Sequence, residues 1–262
     1  MDLSKYLGKI GENPLDNIPA DGGFCGIFRT IGCIGDSLSS GEFETRDKEG
    51  KPGYHDLYEY SWGQYIARMT GSKVYNFSRG GMTGEEYWNS FADINDFWSE
   101  DKLCQCYILA LGVNEILCQN KEIGTIEDID FDDYKNNKDN FAGYYSRIIQ
   151  RLKTMQPDAK FFLMTMARGD DNPVKEQQKQ DHAKLLYEMA ERFDNTYVID
   201  LYKYAPVYDA EFRKNFYLLG HMNPMGYMLT AKMVAAYIDY IVRHNPDDFK
   251  HVGFIGTDIK YK

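Results

Sequence analysis

Five short apolar runs, separated by longer stretches of helical spacing, narrow what this chain can fold into more than any other feature. The runs cover residues 27–34, 73–77, 106–111, 160–165 and 196–199, and each is rich in branched or aromatic side chains and of strand length. Between and after them, residues 58–69, 84–98, 140–155, 174–193 and 224–242 repeat apolar positions at helical intervals. Strands alternating with helices of that length predict an α/β chain whose central parallel sheet of about five strands is covered on both faces. With right-handed crossovers, this is a three-layer α/β/α, flavodoxin-like arrangement.

No internal repeat, Pro- or Gly-rich linker or low-complexity tract divides the 262 residues. The expectation is therefore a single domain over 1–262, with 1–26 as an N-terminal extension. A formal net charge of -10, with no basic run, argues against a nucleic-acid partner and against an anionic membrane surface. No apolar stretch is long enough to span a bilayer. The first residues lack an uninterrupted apolar run, so the chain reads as cytoplasmic. Cys25, Cys33, Cys104, Cys106 and Cys118 show neither metal-ligand spacing nor a C-x-x-C pair and read mostly as buried thiols. The stretch 122–139 is dense in Asp and Asn but lacks the spacing of a calcium loop, so it reads as solvated surface.

In parallel α/β sheets ligands bind beyond the carboxyl ends of the strands, and four stretches there carry candidate chemistry. Gly35-Asp36-Ser37-Leu38 follows the first run, where a strand-to-helix turn can hold the Ser37 hydroxyl outward beside unpaired backbone N–H groups; the alternative is an ordinary helix cap. After the second run comes Asn76-Phe77-Ser78-Arg79-Gly80-Gly81-Met82-Thr83, whose paired glycines let a backbone N–H approach a substrate, or simply start a helix capped by Thr83. Gly112-Val113-Asn114-Glu115 follows the third run, and its Asn114 amide can donate to a developing oxyanion or tie down a loop. Gly220-His221-Met222-Asn223-Pro224 precedes the last helix, with Asn223 as cap and Pro224 at its first position, which sets His221 on a loop as a general base. His55, His182, His244 and His251 read as structural or solvated.

These four stretches, in this order and at strand ends, resemble the four sequence blocks of the SGNH (GDSL-type) hydrolase family. The resemblance spans residues 34–227, and by spacing Gly81 corresponds to the family glycine, with Gly80 the fallback. It implies an α/β/α serine esterase or acylhydrolase without metal or organic cofactor. In it Ser37 is the nucleophile, His221 the base, and Ser37, Gly81 and Asn114 form the oxyanion hole. Its substrate would be a small-molecule or carbohydrate ester, with a short acyl group such as acetyl preferred because no lid-like apolar segment suits a long lipid chain.

One position departs from the family pattern. Many members carry an Asp three residues before the His, and Leu218 stands there. Asp209 is the expected substitute carboxylate, with Glu211 or a backbone carbonyl behind it. The same departure supports a competing reading, a non-catalytic glycan- or ester-binding module of this fold. A nucleotide- or flavin-binding reading finds no G-x-G-x-x-G or G-x-x-x-x-G-K-[ST] turn after any strand.

Overall fold

The computed structural model describes Leu3, residues 6–170 and residues 172–259. Five parallel strands form the main sheet: β1 (Thr30–Gly35), β4 (Lys73–Ser78), β5 (Cys106–Ala110), β6 (Lys160–Met164) and β7 (Thr196–Ile199). Their order across the sheet is β4-β1-β5-β6-β7. Counting only these five, that is the flavodoxin-like order 2-1-3-4-5 expected from the sequence. Two antiparallel hairpins lie outside it: β2 (Glu42–Arg46) with β3 (Pro52–Asp56), and the short pair β8 (Tyr217–Leu218) with β9 (His221–Met222).

Successive side chains of a strand point to opposite faces, and the two halves of the core divide on that period. Ile34, Tyr107, Leu109, Phe161 and Leu163 enter one apolar cluster with helices Phe141–Met155 and Pro173–Arg192. Ile31, Cys33, Cys106, Ile108 and Phe162 enter the other, with helices Trp62–Thr70 and Pro224–His244. Each helix starts on a side chain that accepts an orphan backbone N–H: Asn140, Asn172, Ser61 and Asn223. Pro173 and Pro224 sit at first helical positions, where a missing N–H costs nothing.

Residues 84–98, expected as one helix, wind as two short α-turns flanking a π-helical segment, Tyr87–Phe91, and end before Asn95. The segment before β1 is held to helix Pro224–His244. Arg243 pairs with both oxygens of Glu12 (2.9 and 2.8 Å) and with Asp239 (2.8 Å), and Asp239 accepts the Phe24 N–H at 2.8 Å. Cys25, Cys33, Cys104 and Cys106 are buried free thiols, whereas Cys118 is exposed. In the acidic stretch Asp130 accepts the N–H groups of Asp132 and Asp133, and Asp128 pairs with Lys138. Among the described residues no group of three side chains is arranged to hold a metal ion, and no helix is long and apolar enough to cross a membrane.

Gly32 shows how tightly the central strand is enclosed. A Cβ at that position would lie 2.7 Å from Tyr107 Cδ1 and 2.9 Å from Phe77 Cε2, both on rings of neighbouring strands. Overfilling a packed core costs about 1–3 kcal/mol. Gly32→Ala should therefore lower the urea midpoint by that amount of stability without changing the slope of the transition; an unchanged midpoint would show that the rings move aside freely.

Candidate active site

The register of the sheet aligns the sequence blocks. Gly35 at the end of β1 pairs with Ser78 on β4 and with Ala110 on β5, so the loops that follow these residues leave the sheet side by side. Asp36 caps the one-turn helix Ser37–Ser40, its carboxylate accepting the Leu38 N–H at 3.1 Å. Ser37 is the first residue of that turn, and its own N–H has no acceptor among the described residues. Gly81 holds the next loop in a left-handed turn at φ 73°, and its N–H is likewise without an acceptor among them.

Gly112 takes φ 131°, with His182 Nε2 3.0 Å from where a Cβ would stand. The chain then enters a π-helical turn, Val113–Cys118, a form often found at functional sites. Asn114 Nδ2 donates to the Met82 carbonyl at 3.0 Å, tying this turn to the glycine loop. An amide NH2 has two protons, so one remains to donate elsewhere. Fully buried His182 tilts against the Phe141 ring, and burial brings its pKa down to about 4, which marks it as a neutral packing residue.

His221 begins β9 and is brought in by the turn Leu218–His221. Ser37, Asn114 and His221 line one cavity of about 490 Å³, together with apolar Leu38, Leu111 and Met166. Gly81 is not among its lining residues. Gly80, which also does not line it, packs against Glu42: a Cβ there would lie 1.9 Å from Glu42 Oε2, so a side chain at this position would push that carboxylate aside. No hydrogen bond joins Ser37 Oγ to the imidazole among the described residues; catalytic contacts of this kind are often long until substrate binds.

The carboxylates at the imidazole differ from the sequence expectation. Asp209 caps the helix Ala210–Phe216, its carboxylate accepting the Phe212 N–H at 2.9 Å, and Glu211 lies in the first turn of the same helix. The carboxylates against His221 come instead from β2. Glu42 Oε1 lies 3.0 Å from Nε2, and Glu44 Oε2 lies 3.7 Å from Nδ1. Glu44 is already engaged, accepting the Gly220 N–H at 2.9 Å and pairing with Arg46 at 2.8 Å. Nδ1 is buried without a hydrogen-bond partner. Burial holds the Glu42 carboxyl above its ordinary value; His221 opposes the shift, while Asp56 and Glu44 add to it. Tyr54 on β3 packs edge-on against the imidazole, so the hairpin also covers the ring. The spacing Glu42-x-Glu44 was the available signal, since residues two apart on a strand share a face.

The sheet is a three-layer α/β/α arrangement in which three of the block residues meet in a cavity at its carboxyl edge, where parallel sheets bind ligands. The model of the GDSL-like lipase/acylhydrolase family matches residues 33–229. The chain belongs to that family and is a carboxylic ester hydrolase. Solved structures share the fold at low identity. A family two carbohydrate esterase from Clostridium thermocellum, in complex with cellohexaose, is 14% identical at a TM-score of 0.58, covering 82% of this chain and 64% of that one. An acetyl xylan esterase is 17% identical at a TM-score of 0.51, covering 78% and 97%. A putative lipolytic protein of the G-D-S-L family from Desulfitobacterium hafniense is 13% identical at 0.51, covering 80% and 99%. No curated protein matches the sequence.

Asp36 gives the site a measurable pH signature. It is fully enclosed and its Oδ2 has no partner. Burial, opposed by the Leu38 N–H and reinforced by nearby Glu115, pushes its pKa from 3.8 up to about 7. Between those values the native chain keeps a proton that the unfolded chain has released, so stability falls as pH rises through this window. Asp36→Asn keeps the acceptor for Leu38 and cannot ionise. Its melting temperature relative to wild type should rise between about pH 4 and pH 7 and level off above; a pH-independent difference would contradict the assignment.

Proposed function

We propose that the chain is a serine esterase that removes short acyl groups, acetyl foremost, from a carbohydrate or other small alcohol through an acyl-enzyme. The observation that carries this reading is the convergence of Ser37, Asn114 and His221 on one cavity. Ser37 Oγ attacks the ester carbonyl and His221 takes its proton. The oxyanion is held by the Ser37 N–H, the free proton of the Asn114 amide and the N–H of the glycine turn, assigned to Gly81. His221 then returns the proton to the leaving alcohol, and water releases the acyl group by the same steps in reverse.

Glu42 takes the place of the absent family acid. Its contact with Nε2 fixes that nitrogen as the donor and leaves the lone pair on Nδ1. Both glutamates favour the imidazolium that forms when the proton leaves Ser37. A volume of about 490 Å³ suits a small ester. The carbohydrate leaning is supported by the named activities of the carbohydrate esterase and the acetyl xylan esterase that share the fold.

Ser37→Ala should abolish turnover of 4-nitrophenyl acetate and labelling by a fluorophosphonate; undiminished labelling would refute the nucleophile. Asn114→Ala should lower kcat by about 10²–10³ with little change in KM, as for loss of one oxyanion donor. Glu42→Gln should reduce kcat/KM through kcat, with KM little changed, while Glu44→Gln has the smaller effect on rate. Equal or reversed effects of the two substitutions would reassign the orienting role. Across 4-nitrophenyl esters, kcat/KM should fall with acyl length, and acetylated sugars should be deacetylated; a preference for long chains would overturn the substrate reading.

A further inference from the structure

Among the residues that line the cavity, three are cations, Lys175, Lys179 and Arg213, and one is a carboxylate, Asp36, buried beside Ser37; Glu42 and Glu44 stand behind His221, outside the lining. In a chain of net charge -10, this excess of cations runs against the overall composition. Lys179 is already paired, its ammonium lying 2.9 Å from Glu176. Lys175 and Arg213 are differently placed.

Lys175, in the first turn of helix Pro173–Arg192, is half-buried, and its ammonium makes no hydrogen bond or ion pair among the described residues. Arg213, on helix Ala210–Phe216, donates Nε to the Tyr208 carbonyl at 3.1 Å and lies 5.1 Å above the Tyr217 ring. Those contacts hold the guanidinium in place, and it forms no ion pair among the described residues. The two cations follow different strands, β6 and β7. The connections that carry them are joined by the Tyr208 N–H donating to the Arg168 carbonyl at 2.8 Å and by the bridge between Gly169 and Tyr208. The two connections that carry the cations are thus tied to each other beside the cavity, with Arg213 exposed at its rim.

Resting on the esterase reading above, we infer that Lys175 and Arg213 form a carboxylate subsite, and that the substrate is an ester carrying a carboxylate in its alcohol or its acyl half. A planar guanidinium held at its Nε end presents its remaining N–H groups to a carboxylate, and an ammonium lining the same cavity adds charge without fixing direction. Neither cation touches the reacting atoms. Their role is to select the substrate.

The test compares matched neutral and anionic esters at low ionic strength. For the alcohol half, the pair is an acetylated methyl hexoside and its hexuronic acid counterpart; for the acyl half, 4-nitrophenyl butyrate and 4-nitrophenyl hemisuccinate. In one of the two pairs, wild-type kcat/KM should favour the anionic ester by roughly 10- to 100-fold, as one or two charge-assisted hydrogen bonds support. That pair identifies which half bears the charge. The ratio should collapse towards one in the double variant Lys175→Met/Arg213→Gln, survive in part in Arg213→Lys, and shrink with added salt. Ratios near one in both wild-type pairs, or a preference that the double variant keeps, overturn the subsite. Turnover of the neutral esters tests the esterase reading separately. If that fails, calorimetric titration with methyl hexuronate against methyl hexoside decides the subsite alone: binding of the uronate that is lost in the double variant supports it, and no binding overturns it.

Discussion

The parallel register of β1 between β4 and β5 is the constraint on which the site depends. Gly35 pairs with both Ser78 and Ala110, so three loops leave the sheet in one row. A slip of one residue would turn every side chain of β1 to the opposite face, driving Ile34 and Ile31 into the wrong apolar clusters and misaligning Ser37 with Asn114 together. Core and chemistry are therefore fixed by the same hydrogen bonds. The ring-to-ring enclosure of Gly32 and the division of the apolar side chains into two clusters favour this register over its neighbours.

Around that row, the site is built from groups that would be unfavourable elsewhere. Asp36 is a carboxylate enclosed with one oxygen unpartnered, and Glu115 is buried nearby with its Oε2 unpartnered while Oε1 accepts the Gly84 N–H at 2.7 Å. Both are held towards the neutral form by burial. What they secure is backbone: Asp36 shapes the turn that presents Ser37, and Glu115 anchors the helix start that follows the glycine loop. Local polar order is maintained here at the expense of solvation, a pattern common where geometry matters more than stability.

The sheet was legible because its five strands are apolar on both faces and end at turn residues, and the blocks were legible because each sits where a strand stops. The hairpin was not. Glu-Phe-Glu-Thr-Arg and Pro-Gly-Tyr-His-Asp contain too few apolar positions to register as strands, since the hairpin covers a site rather than a core. Without the hairpin nothing in the sequence brings Glu42 and Glu44 to His221, and the carboxylates nearest before it in the chain are Asp209 and Glu211. Asp209 was a reasonable position in sequence, but its carboxylate is used by the helix it begins. The break in residues 84–98 escaped for a related reason: helical spacing does not distinguish an α-turn from the wider π-turn at Tyr87–Phe91.

The hairpin also changes how the machinery is distributed along the chain. Ser37 and Glu42 lie within one short segment, whereas His221 arrives from the far end, carried by the stretch that leads into helix Pro224–His244. That helix packs on Trp62–Thr70 and on the segment before β1, held there by Arg243 and Asp239. The proposed nucleophile and acid thus lie close together in sequence, but the proposed base joins them only when helix Pro224–His244 has docked. During refolding, recovery of hydrolysis would report closure between the two ends of the chain rather than formation of the sheet.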